Sequence, residues 1–288
     1  MVMIVKVPGL NAFGKTNGCR DAGNAILEKL KEIHSSEKGK IIDSQLLNLE
    51  ESHVNNENLE EQNQLIYKNS NDIFQNQDKV VFLGGDHSIS YSTVRAFVHN
   101  VKMAEKEPCL IVFDAHADCD NPMKEPSHEE WLRGLIDGGE IKPESVLLVG
   151  IRNMSREEIK YVSEKKIRII SINQIEENIQ EMADVITEFA HGKELYVSLD
   201  IDVVDPAFAP STHYQVAGGL TSRQMIYLIQ RIALMKNLRA VDIVEIDSVK
   251  DTDTPSGSSP GQESDNIMEL PKFGGTVGVG AKILAELI

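Results

Sequence analysis

The stretch FDAHADCD, residues 113–120, decides the reading of this chain. It closes the apolar run CLIVF and then sets Asp114, His116, Asp118 and Asp120 at every second position. In a strand, residues i, i+2 and i+4 share one face. The spacing therefore predicts ionisable groups crowded on one side of a strand's end. Carboxylates that close repel one another and lose solvation, so an apolar core cannot be their neighbour. Either something positive sits among them or the segment is solvated loop.

The same arrangement recurs along the chain. VVFLGGDHS ends in Asp86 and His87, LYVSLDIDVVDP in Asp200, Asp202 and Asp205, and AVDIVEIDSVKD in Glu245 and Asp247. Singly, each set has a plain explanation: a solvated turn for D-x-H-x-D, turn and capping chemistry for D-I-D before D-P, a cap for Asp-His after Gly-Gly. Jointly they deliver His and carboxylates to the C-terminal ends of several strands, where open parallel sheets bind ligands.

The strands themselves are legible. MIVKVP opens the chain, and VVFLGG, CLIVFD, SVLLVG, IRIISI, ELYVSLD and AVDIVEI follow as six buried-looking strands separated by helix-length segments. GNAILEKLKEIHSS carries Ile26, Leu27, Leu30 and Ile33 at helical spacing, and GTVGVGAKILAELI closes the chain as a helix. Residues 43–78 read as loop and a polar-faced helix with no evident function, and TPSGSSPGQESDN, residues 254–266, as a Gly/Ser/Pro-rich loop. Near-continuous apolar strands alternating with helices predict an α/β fold whose parallel sheet is covered on both faces. With 288 residues, 41% of them apolar, one large domain over 1–288 is expected, and there are no internal repeats.

Composition narrows the partners. A formal charge of −16 argues against nucleic acid and anionic membranes, and the same field favours a cationic small molecule. Cys19, Cys109 and Cys119 are few, odd in number and without metal-type spacing, which suits a reducing compartment. No run reaches membrane-span length, and MVMIVKVPGL lacks a signal peptide's pattern, so a cytoplasmic location is expected.

His87, Asp114, His116, Asp118, Asp200 and Asp202 offer six metal ligands. Imidazole mixed with carboxylate, without thiolate, suits Mn²⁺, Fe²⁺, Co²⁺ or Zn²⁺. Six ligands exceed what one catalytic zinc with an open position takes and suit two ions sharing bridging carboxylates. Two adjacent ions lower the pKa of a shared water and supply a nucleophile.

At these residues the sequence resembles the arginase/agmatinase family of ureohydrolases. LGGDHSIS, FDAHADCD and SLDIDVVDPAFAP resemble that family's three metal-binding signatures in order and separation, and the likeness runs from GCRDAGNAIL to the closing AKILAEL. The resemblance implies a three-layer α/β/α sandwich around a mainly parallel sheet, two Mn²⁺ per chain, and assembly as a homo-oligomer, a trimer or hexamer. It implies that His87, Asp114, Asp118 and Asp200 hold one ion and Asp114, His116, Asp200 and Asp202 the other, with Asp114 and Asp200 bridging. Glu245 in DIVEI matches the carboxylate that pairs with the guanidinium. His128 in PSHEEWLRG matches a proton-shuttling loop His, although that family commonly has His-Gly where Glu129 stands here. Asp118 would hydrogen-bond the tetrahedral intermediate and pass a proton to the leaving amine.

Substrate choice is less marked. CDNPMKEPS is short, closer to agmatinase length, and Ser155 in GIRNMSREE stands where arginases tend to present an Asp for the α-amino group. Both departures favour agmatine, giving urea and an amine, over arginine. STHYQVAGG departs from the GTGTPEPGG-like form common in agmatinases and brings in His213 and Tyr214, with His213 a candidate substrate contact. Lys124 could meet the acidic tail of a guanidino acid or of formiminoglutamate. Arginase, guanidinobutyrase and formimidoylglutamase activities are the alternatives within the family. A single-metal deacetylase-like hydrolase and a non-catalytic scaffold are the alternatives outside this chemistry, and a count of about two, one or zero metals per chain separates them.

Overall fold

The computed structural model describes residues 2–253 and 275–288, so the loop predicted over 254–266 lies outside the described residues. The chain alternates strand and helix: β1 Met3–Val7, α1 Ala22–Leu30, β2 Asn48–Glu51, α2 Leu59–Asn76, β3 Val80–Gly84, α3 Ile89–Met103, β4 Pro108–Phe113 and α4 Trp131–Asp137. There follow β5 Val146–Val149, α5 Arg156–Lys165, β6 Arg168–Ile170, α6 Ile172–Glu177, α7 Ile179–Phe189, β7 Glu194–Asp200, α8 Ser222–Ala233, β8 Leu238–Val244, α9 Ser248–Asp253 and α10 Gly275–Leu287. The eight strands form one sheet in the order β2-β1-β3-β8-β7-β4-β5-β6, and every pairing is parallel.

The apolar runs are continuous because the sheet is buried on both faces. Ile4, Val81, Leu83, Ile111, Phe113, Val197, Leu199 and Ile243 pack with Ile26 and Leu30 of α1, Ile229 of α8 and Leu284 of α10. Val5, Val80, Phe82, Leu110, Val112, Tyr196 and Val244 turn the other way, toward Ile66 and Phe74 of α2, Phe97 of α3, Trp131 of α4 and Tyr161 of α5. Alternate residues of one strand thus feed two cores, which makes the three-layer α/β/α sandwich.

Two details differ from the sequence reading. Residues 43–78 contain an additional strand, β2, whose sequence NLEE is half-buried only at its start. An edge strand pairs on one side only and needs no apolar pattern, which is why it read as loop. The helix seen in GNAILEKLKEIHSS ends at Leu30, and Ser35 forms an antiparallel bridge with Ile41.

Candidate metal centre

Register brings the ionisable residues together. Phe113 pairs with Leu199, so Asp114 and Asp200 leave the sheet side by side. Asp200 pairs with Val244, which places Glu245 one step further along the next strand, and Leu83 pairs with Ile243 to bring His87 to the same edge. The four strands concerned, β3, β8, β7 and β4, are consecutive in the middle of the sheet.

The alternation that opened the sequence reading is not strand geometry. β4 ends at Phe113, and residues 114–120 form a turning loop in which Asp118 has φ 49°. Left-handed backbone costs a non-glycine residue roughly 1 kcal/mol or more. A straight strand would have stacked the carboxylates on one face. The turn instead aims Asp118 at His87 and sends Asp120 to Ser155, whose hydroxyl donates to it at 3.0 Å.

Around His87 Nδ1 stand Asp118 Oδ2 at 2.9 Å, Asp114 Oδ2 at 3.1 Å and Asp200 Oδ2 at 3.3 Å, all on buried side chains. Beside them His116 Nδ1 lies 2.9 Å from Asp202 Oδ2 and 3.6 Å from Asp114 Oδ1. The donors form two groups, His87/Asp114/Asp118 and Asp114/His116/Asp202, which share Asp114. Asp200, expected as a second shared carboxylate, falls in neither group, although its Oδ2 lies 3.3 Å from His87 Nδ1; its Oδ1 accepts the Asp202 amide at 2.8 Å.

These residues fit divalent cations. Ligand atoms about 2.1 Å from a common ion lie roughly 3 Å from one another, which is the spacing found here. His87 Nδ1 and Asp114 Oδ2 are fully buried without a hydrogen-bond partner. Most buried polar atoms are paired, and these two face each other at 3.1 Å inside the carboxylate cluster, a place suited to a bound cation. Burial and mutual repulsion push the Asp118 carboxyl up to about 7 and those of Asp200 and Asp202 upward. Burial alone would lower the two imidazoles, but the surrounding carboxylates outweigh it, raising His87 well above its ordinary value and His116 to about 12. The cluster calls for positive charge.

Three supporting residues escaped the sequence reading. Ser198 donates its hydroxyl to Asp242 Oδ1 at 2.7 Å, so its oxygen can only accept from His87 Nε2, 2.9 Å away. That fixes a proton on Nε2, so Nδ1 is the nitrogen that would give up its proton to a metal ion. Asp242 is itself satisfied by Ser90, Tyr196 and the Leu199 amide. The signal was available: Ser198 and Asp242 are polar residues inside apolar strands, and a buried polar group needs a partner. Trp131 Nε1 donates to Asp118 Oδ2 at 2.7 Å, for which no local sequence signal exists.

A cavity of about 270 Å³ opens over the cluster. Its walls include His116, His128, Asp120, Glu129, Ser155, Glu158, Tyr214 and Glu245. Glu245, at φ 63°, is buried and accepts the His87 amide on Oε1 at 2.9 Å. Burial and nearby Asp86 hold its carboxyl well above the usual range. His128 Nδ1 lies 3.8 Å from Glu245 Oε1, and its ring centroid is 4.9 Å from that of Tyr214. Burial and the cationic side chains of His87 and Lys15 lower His128 to about 4, so it is neutral at pH 7. Ser155 lines the cavity while capping α5 in a capping box with Glu158. His213 is not among the lining residues; its Nε2 lies 2.8 Å from Asp247 Oδ2. Lys124 is exposed, pairs with Glu60 at 2.7 Å, and is also outside the lining.

An all-parallel three-layer sandwich with a shared His/Asp cluster at its central strand ends defines a candidate metal site. The model of the Arginase family matches residues 1–270, and the chain belongs to that family. It is therefore a relative of metal-dependent ureohydrolases. It is 28% identical over 186 residues to an arginase of Staphylococcus aureus (strain MRSA252), a match covering 59% of this chain and 60% of that protein. It is 33% identical over 174 residues to an agmatinase of Bacillus subtilis (strain 168), covering 59% and 56%. These matched stretches span about three fifths of each relative's length. The solved proclavaminate amidino hydrolase of Streptomyces clavuligerus superposes with a TM-score of 0.81 at 23% identity, covering 99% of this chain and 90% of that one, and so shares the fold. Among the described residues, no helix is long and apolar enough to cross a membrane.

Proposed function

We propose that residues 1–288 form one catalytic domain, a binuclear Mn²⁺ amidinohydrolase that cleaves a linear guanidino compound, agmatine by preference, to urea and an amine. The observation that carries this is the pair of ligand clusters sharing Asp114, set under a cavity that has the buried Glu245 in its wall. His87, Asp114, Asp118, His116, Asp200 and Asp202 would hold two divalent ions, which lower the pKa of a shared water to supply the nucleophile. Glu245, whose burial disfavours its bare anion, gains most from a guanidinium that neutralises it. Asp118, held by Trp131, would carry a proton toward the leaving nitrogen. Neutral His128 can take up and release that proton at the cavity wall.

Agmatine is favoured by the cavity's charge. Among the described residues its lining holds no Lys or Arg, and it includes Asp120, Glu129 and Glu158, carboxylates that would attract a substrate's second cationic group. One observation favours a second reading, a guanidino acid: Lys15 Nζ lies 6.0 Å from the ring centroid of Tyr214, whose buried hydroxyl has no hydrogen-bond partner among the described residues. Product release from agmatine, arginine, 4-guanidinobutyrate and formiminoglutamate, each with Mn²⁺, decides between them. Agmatine turning over fastest supports the first reading. A guanidino acid turning over fastest moves tail recognition to Lys15 and Tyr214. Turnover of none of the four overturns the proposal.

A further inference from the structure

We propose that Arg152 is a positioning residue, locking the Asp202 half of the metal centre and the loop over the cavity into one unit; the inference rests on the metal-centre reading above. Arg152 follows β5, and every hydrogen bond of its guanidinium goes to a main-chain carbonyl. Nη2 donates to Asp202 O at 2.7 Å and to Val216 O at 2.6 Å. Nε donates to Val216 O at 3.2 Å and Ala217 O at 3.3 Å. Nη1 reaches Val203 O at 3.3 Å and Gly150 O at 3.4 Å.

Three separate segments meet on this one side chain. The first is the end of β5. The second is the turn after β7, where Asp202 presents Oδ2 to His116. The third is the loop over residues 211–219, which brings Thr212 and Tyr214 to the cavity wall. The backbone of the same residue grips the fourth element, since the Arg152 and Asn153 amides both donate to Ala115 O, at 2.9 and 3.0 Å. Ala115 lies between Asp114 and His116, so both of the segments that supply the second cluster, those following β4 and β7, are tied to Arg152 and its neighbour.

Arginine is required by the geometry. A planar fork of five fixed donors can span carbonyls from several segments at once, whereas a lysine ammonium is a compact charge on a flexible stem. The loop closes against the fork at Gly219, where an added Cβ would sit 2.6 Å from Val203 O and 2.7 Å from Arg152 Nη2. The same Cβ would sit 2.7 Å from Asp205 N, so Gly219→Ala forces the loop away from both the guanidinium and the turn after β7 while leaving Arg152 in the chain. The first cluster, around His87, receives no hydrogen bond from Arg152, so the effect of loosening the fork should be one-sided.

The test titrates Mn²⁺ into the full chain, wild type, Arg152→Lys and Gly219→Ala, by calorimetry and electron paramagnetic resonance, with the thermal stability of the metal-free proteins measured in parallel. The wild type should show the spectrum of a coupled pair at two equivalents. Both variants should give an isolated-ion spectrum, with the second ion bound about tenfold to a hundredfold more weakly. Their KM for the best substrate of the panel should rise more than kcat falls. Variants that bind both ions like the wild type overturn the positioning role. So do variants that lose thermal stability while keeping second-ion affinity and KM, for that is packing alone. A wild-type chain that takes up no Mn²⁺ overturns the metal-centre reading beneath it.

Discussion

Ser198→Ala is the sharpest probe of how this centre is held, because it deletes one hydroxyl that touches no substrate or ligand position. In the native chain His87 Nε2 lies 2.9 Å from Ser198 Oγ, and that oxygen donates to Asp242 Oδ1 at 2.7 Å. Removing the hydroxyl leaves the imidazole without the partner that fixes its tautomer and ring orientation. Loss of such a partner typically weakens metal binding tenfold to a hundredfold, or about 1.4–2.7 kcal/mol. The folded protein loses stability as well, since a buried N–H without an acceptor costs about 1–3 kcal/mol. Ser90→Ala separates the two effects. Ser90 Oγ donates to the same carboxylate at 2.8 Å and lies 3.4 Å from Ser198 Oγ, but among the described residues its hydroxyl makes no hydrogen bond to the His87 ring. It should lower stability comparably and leave Mn²⁺ affinity near the native value. Calorimetric Mn²⁺ titration and thermal melting of both variants give the answer. Native affinity in Ser198→Ala, or equal affinity losses in the two, would refute the tautomer argument.

Asp114→Asn removes the carboxylate shared by both clusters, so elemental analysis should find less than one tightly held ion per chain, and two would sink the sharing. Glu245→Gln removes the charge-assisted pair with the guanidinium, about 1.5–3 kcal/mol, and kcat/KM should fall roughly tenfold to a hundredfold. An unaltered kcat/KM would take Glu245 out of the pocket. Mn²⁺ affinity should climb with pH from about 6 to 9, because ions compete with protons on the ligands. The carboxylates raise both imidazoles, His116 to about 12, so in the metal-free chain a proton competes with the ion for His116 throughout this range, and each fall in pH favours the proton. A pH-independent affinity would contradict the raised imidazoles.

What the sequence revealed and what it hid divide along a physical line. The sheet was legible because strands buried on both faces must be apolar along their whole length, and VVFLG, LIVF and VLLV are. β2 was hidden because an edge strand carries no such requirement. Asp114, Asp200 and His87 were legible because carboxylates and imidazoles at the ends of buried strands have few neutral explanations. Their supports were harder to see. Ser198 meets Asp242 only because β7 and β8 are adjacent and pair Ser198 with Asp242 in register, a fact of strand order that local pattern does not carry. Trp131 and Arg152 are further removed still. Each acts through a loop, α4's approach in one case and the 211–219 turn in the other, and loops obey no period. The backbone shows the same division. Asp118 and Glu245 share left-handed φ values, and neither is a glycine or asparagine that would advertise the turn. Strain of that kind persists only where the surroundings over-determine it. Here the Trp131 bond fixes Asp118, and the Gly85 carbonyl and His87 amide fix Glu245. These two residues are the pair for which proton transfer and guanidinium binding are proposed, and they are held by the Trp131 side chain and by main-chain groups rather than by ligand side chains.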